Sequence, residues 1–208
     1  MTETVTTTPT PGYAEQIGVA GTTVKSGIVS SLKGVDDIER EIVSLVRNTV
    51  SNAMKAGEKV AEEGIVTVRD VVKGAISATE EVGAGLVLAS KSVAKGVVMG
   101  VSDVGGDVIG AATETAKAAV KGAADVGGDI AMVAKRSVDG AVEAARETGG
   151  NVAEIGLAAA NGAVEAAGTI GNAAVTTVRD MLVGLVSGVK DVAGTALPKS
   201  GQNPPPAA

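Results

Sequence analysis

The groups able to do chemistry in this chain are hydroxyls, carboxylates, lysines and arginines, because His, Cys, Phe and Trp are all absent. That removes the commonest general base, the thiol nucleophile and the soft metal ligands. Ser and Thr are plentiful, but none stands at a recognisable spacing from an activating base. Asp103/Asp107 and Asp125/Asp129 place carboxylates four residues apart. Such pairs could share a hard cation between chains, although solvated carboxylates explain them more simply. Gly83-Ala84-Gly85 has Leu88 where a dinucleotide fingerprint needs its third glycine, and no Gly-Lys dipeptide opens a phosphate loop. The expectation is a protein without catalytic residues, cofactor, metal site or small-molecule substrate, and hence not an enzyme.

Composition narrows the elements that could position these groups. Tyr13 is the only aromatic residue, while Val, Ala and Gly supply the bulk. Large aromatic areas normally fill a globular core, so this chain must bury many small groups. The net charge of −6 and the lack of stacking residues argue against nucleic acid as a partner. The absence of Cys excludes disulfides and does not fix a compartment. The N-terminus has neither the basic start nor the apolar run of a signal peptide, and no long uncharged apolar stretch reads as a membrane span. The expected location is cytoplasmic, or peripheral to a membrane or lipid surface.

Three segments follow from composition and period. Residues 1–23 begin Thr- and Pro-rich and residues 200–208 are Pro-rich; both read as disordered ends. Between them, residues 24–199 can be written as sixteen rows of eleven without insertion or deletion, with positions labelled a to k. Position i is apolar in every row, from Leu32 to Leu197. Eleven residues complete about three helical turns, so the period keeps one helix face in phase. No proline lies between Pro11 and Pro198. The expected fold is all-α: one very long amphipathic helix, or a few long ones, assembling as a parallel coiled coil or helical barrel.

A doubled period lies on top. Gly83, Gly105, Gly127, Gly149 and Gly171 recur at e every 22 residues, and Lys73, Lys95 and Lys117 recur at f. The glycines allow a second arrangement, in which Asp-Val-Gly-Gly-Asp segments are turns between short hairpinned helices. The unbroken apolar phase through each Gly-Gly favours the continuous helix, with these glycines as sites of close packing between backbones.

On a helical wheel, g, k, d, h, a, e and i form a broad apolar arc, wider than a two-stranded seam requires. Its expected core is Val71, Val82, Val93, Val104 and Val126 at d, with Ile76, Val87, Val98, Ile109 and Val142 at i. Position b is mainly basic (Arg69, Lys91, Arg179) and position c mainly acidic (Asp70, Asp103, Asp125). Parallel helices laid side by side would bring these edges together, which makes them candidate interhelix ion pairs.

The segment 112–144 (ATETAKAAVKGAADVGGDIAMVAKRSVDGAVEA) resembles the 11-residue amphipathic repeats of synucleins and perilipin-type lipid-droplet coats in period and composition. The chain also resembles hendecad coiled-coil proteins, and shares the 11-residue period of the more polar late-embryogenesis proteins. These resemblances imply a low-complexity structural protein. The expected function is non-enzymatic self-assembly of long hendecad helices into a bundle, barrel or filament, with a homo-oligomer as partner. The alternative is a peripheral amphipathic coat on a membrane, lipid droplet or storage granule, with lipid as partner.

Overall fold

The segment Asp103-Val104-Gly105-Gly106-Asp107 contains both a helix stop and a helix start. In the computed structural model, Gly105 has φ +67°, a left-handed conformation that costs an L side chain about 1–2 kcal/mol. Its N–H donates to the Ser102 carbonyl at 3.0 Å, and the Gly106 N–H donates to the Val101 carbonyl at 3.0 Å. These bonds close the end of a helix in a Schellman arrangement. Asp107 then adopts an extended backbone, and its carboxylate accepts from the Gly110 N–H at 2.9 Å, capping the next helix. The device recurs 22 residues on. Gly127 has φ +70° and Gly149 φ +74°. Asp129 and Asn151 cap through the Met132 and Glu154 N–H groups.

The structure describes residues 18–31, 38–56, 60–82 and 85–196; side chains are described within these except at 19, 29–31, 38, 60–63, 80–82 and 186–196. The described residues form α1 (Val19–Ser31), α2 (Ile38–Ala56), α3 (Val60–Val82), α4 (Leu86–Ser102), α5 (Val108–Asp125), α6 (Ile130–Thr148), α7 (Val152–Ile170) and α8 (Asn172–Ala196). Each packs on its sequence neighbour and on the helix two along, and on no other. Short turns make neighbours antiparallel, so helices two apart run parallel. The result is two layers, odd helices α1, α3, α5, α7 and even helices α2, α4, α6, α8, stacked as an open series.

Small residues permit the close parallel packing. Gly74, Gly96, Gly140 and Gly162 all occupy position g. A Cβ at Gly140 would lie 2.2 Å from the Lys91 carbonyl oxygen, and one at Gly162 would lie 2.2 Å from that of Thr113. At Gly96 it would lie 2.7 Å from the Val46 Cβ. The pairs α1–α3, α2–α4, α4–α6 and α5–α7 are accordingly the most extensive. In α5 this position is Ala118, and α3–α5 contact is smaller; Gly184 in α8 meets nothing within 4 Å, and α6–α8 contact is smaller too. A glycine inside a helix costs about 1 kcal/mol in propensity. Burying a valine contributes about 1.5–3 kcal/mol, and Val46, Val50, Val71, Val97, Val98 and Val120 are fully buried. Packing therefore outweighs propensity. Two apolar clusters result, one spanning α1 to α6 and the other α4 to α8, overlapping at α4, α5 and α6 with Val43 of α2 against the second.

This architecture overturns the single long helix, the parallel coiled coil and the helical barrel. The hendecad phase survives the turns because each 22-residue unit contains one helix plus its turn, and successive helices enter in the same register. Residue counting cannot distinguish that from uninterrupted winding. The left-handed glycines distinguish it. The likeness to hendecad coiled coils and to synuclein or perilipin repeats falls with the long helix. So do both functions built on it. The apolar arc is buried against other helices of the same chain, so it neither zips sister chains into a filament nor coats a lipid surface. Among the described residues no helix is long and apolar enough to cross a membrane.

Candidate functional site

The charged residues form a ladder between parallel helices. Arg47 on α2 makes a two-pronged contact to Asp103 just after α4, at 2.6 Å and 2.7 Å. Arg69 on α3 reaches Glu114 on α5 at 2.8 Å. Lys91 and Lys95 on α4 both meet Glu143 on α6 at 2.8 Å, and Lys95 also meets Glu147 at 2.6 Å. Lys117 on α5 meets Glu165 on α7. Every one of these links joins helices two apart. Position b thus meets position c at Arg47–Asp103 and Arg69–Glu114, while f meets j and c at Lys95 and Lys117. Half-exposed pairs contribute only about 0–1 kcal/mol each, so the ladder sets lateral register more than it adds stability.

The electrostatics agree with the geometry. Hydrogen bonds from Lys91 and Lys95 hold the Glu143 carboxyl below the usual range. The hydrogen bond from Arg47 lowers Asp103 likewise. For Lys95, burial disfavours the charge, but the bonds to Glu143 and Glu147 outweigh it and the ammonium is held above its ordinary value. Asp139 is pushed up by burial, against the opposing fields of Lys135, Arg136 and Lys91. The cations of the ladder are thus locked in charged form, which suits holding helices and not proton transfer.

The residues singled out from the sequence fall into several settings. Val71, Val93, Ile76, Val98 and Val142 are buried; Val87, Val104 and Val126 are half-buried, and Ile109 is 40 % exposed. The side chain of Val82 and the whole of Gly83 lie outside the described residues. Gly105, Gly127, Gly149 and Gly171 end helices, and a Cβ at any of them would touch nothing within 4 Å. They are turn residues, not points of close approach. Arg69, Lys91 and Asp103 are ladder members. Asp70 instead accepts from the backbone N–H groups of Gly18 and Gly21 at the start of α1. Arg179 and Asp125 are exposed. The suggested carboxylate pairs do not form a cation site: Asp103 holds Arg47, while Asp107 and Asp129 cap helices. Among the described residues no metal-binding cluster of His, Cys, Asp and Glu occurs.

Sequence reasoning missed the g-position glycines and the carboxylates Glu143 and Glu165 at j. The signal was present as a second 22-residue series, Gly74, Gly96, Gly140 and Gly162. The missing information was which neighbour each residue would touch.

Three surface hollows follow from this packing. A groove of about 480 Å³ runs over α2, α4 and α6 beside the Lys95–Glu143–Glu147 cluster. A cleft of about 330 Å³ lies among Met54, Ile65, Val68, Val101 and the Gly105–Asp107 turn. A wider groove of about 660 Å³ separates α1 from α2.

The two ends of the stack differ in character. On α2, position g carries Glu41 and Asn52, both exposed, where α4, α6 and α7 carry buried glycine. At the other end, the edge of α7 holds Leu157 at b and Asn161 at f, both exposed. In α5 the equivalent Thr113 and Lys117 are half-buried beneath α7. On α8 the same edge carries Arg179 at b and Val183 at f, with Val183 63 % exposed. Positions that elsewhere reach a carboxylate two helices along thus become aliphatic in the last layer. The chain matches no protein-family model, and comparison with curated proteins and with solved structures finds no match.

Proposed function

We propose that this chain is a non-catalytic helical-repeat scaffold whose last layer, α7 and α8, docks another protein. The observation that carries the reading is the change at positions b and f. Arg47, Arg69, Lys91, Lys95 and Lys117 occupy them where another helix follows, and Leu157 and Val183 occupy them where none does among the described residues. Exposed aliphatic groups at a repeat terminus, where a polar capping face is the norm, mark an interaction surface. The charge ladder and the buried glycines support the same reading, since they hold the stack in one register and present that layer rigidly.

The test is photo-cross-linking in living cells. A photoreactive residue at 157 or 183 should yield protein adducts, and one at exposed Lys121 or Arg146 should not. Equal labelling at all four positions, or none at any, removes the docking surface.

A further inference from the structure

We infer that the partner of this last layer is a second copy of the same chain, docked face to face about a two-fold axis; this rests on the docking reading above. Three observations lead there. First, Leu157 and Val183 lie at one height. α7 and α8 turn at Gly171, so Leu157, fourteen residues before it, and Val183, twelve after it, differ by only about 3 Å along the helix axes. They form one aliphatic patch bridging both layers, 44 % and 63 % exposed.

Second, the patch sits beside its own charge complement. Arg179 and Asp180 are adjacent, exposed, and at positions b and c, the two edges that pair at Arg47–Asp103 and Arg69–Glu114. An antiparallel meeting of α8 with its symmetry mate sets Arg179 of each copy against Asp180 of the other. A face carrying one charge of each sign next to an apolar patch is self-complementary, as an isologous interface requires.

Third, the opposite end of the stack rejects head-to-tail growth. Continuing the series would lay the last layer against α1 and α2. There position g is Glu41 and Asn52, whereas every close parallel pair inside the chain uses a glycine at g. Long polar side chains hold backbones apart, so the open end meets its like and the assembly closes at two copies. A closed pair of folded stacks is a different object from a filament of long helices.

The full-length purified chain tests this directly by light scattering over a concentration series. The expected result is a mass that rises from one chain to two and stops. Leu157→Lys and Val183→Glu should each weaken pairing by about tenfold or more, equivalent to roughly 1.4 kcal/mol. Both should leave helicity and melting of the dilute monomer unchanged, because neither side chain is in the core. Arg179→Glu should weaken pairing, and adding Asp180→Arg to the same chain should restore it. A mass of one chain at every concentration overturns the proposal, as does growth beyond two or pairing untouched by Val183→Glu. The cellular cross-links separate the two readings. Adducts at 157 and 183 with other proteins, and none at twice the chain mass, sink the second-copy inference and leave the docking surface standing. No adducts at all sink both.

Discussion

A single methyl group has opposite effects at two glycines of α7. At Gly162 a Cβ would lie 2.2 Å from the Thr113 carbonyl oxygen, so Gly162→Ala must push α5 and α7 apart. Overpacking of this kind costs about 1–3 kcal/mol. Gly168 lies in the same helix with nothing within 4 Å. There the substitution removes unfolded-chain freedom without a clash, and Gly168→Ala should stabilise by about 0.5–1 kcal/mol. Urea unfolding of the two variants reads both signs. A similar response from both would mean that α5 and α7 do not touch as described. Charges at this scale give a pH dependence of known sign. Glu143 and Asp103 have folded values below their ordinary ones. Their contribution is present above the ordinary carboxylate range and is lost as pH falls through the lowered values. Lys95 is raised, so its contribution holds at neutral pH and is lost only as strong alkali passes its folded value. Asp139 behaves in the reverse way: burial raises it, so its charge disfavours the fold at neutral pH. Asp139→Asn should therefore melt higher than the parent at pH 7, and the gap should narrow as the solution is acidified. A lower melting point at pH 7 would show that Lys135, Arg136 and Lys91 dominate its surroundings instead.

Helix boundaries are set by three-residue devices, and these were half legible. The recurring Gly-Gly-Asp was visible at 105–107 and 127–129, and both a packing glycine and a turn glycine satisfy its 22-residue spacing. The two readings make opposite predictions for alanine. In a continuous helix Gly127→Ala would gain about 1 kcal/mol of propensity. At φ +70° it must lose about 1–2 kcal/mol, and the triple variant at 105, 127 and 149 should lose enough to show plainly in a thermal melt. The b and c edges show the complementary case. Their charges were legible as partners for a parallel helix, and the helix that answers is the one two along in the same chain. The acceptors at j, Glu143 and Glu165, could not be found by wheel geometry, because f meets j only after the chain has folded back twice.

At the scale of the molecule, contacts reach only one or two helices along the chain, so stability should be a sum of near-neighbour terms. Deleting residues 108–151 removes α5, α6 and their turns as a unit and leaves α4 followed by α7, with the up-down alternation intact. The shortened chain should remain helical and unfold cooperatively with a smaller denaturant dependence, in proportion to its lost buried surface. Collapse to an unfolded chain would show that the layers depend on a specific central pair. Composition and period determined much of this by themselves: an all-α chain, a broad aliphatic arc, oppositely charged edges and a unit of 22 residues all follow from side-chain chemistry and helical geometry. Only the tertiary structure decided whether that arc would meet other molecules or the same one. The reason lies in the backbone. A left-handed glycine reverses the chain without disturbing the count of residues, so the pattern along the sequence is identical for a rod and for a stack.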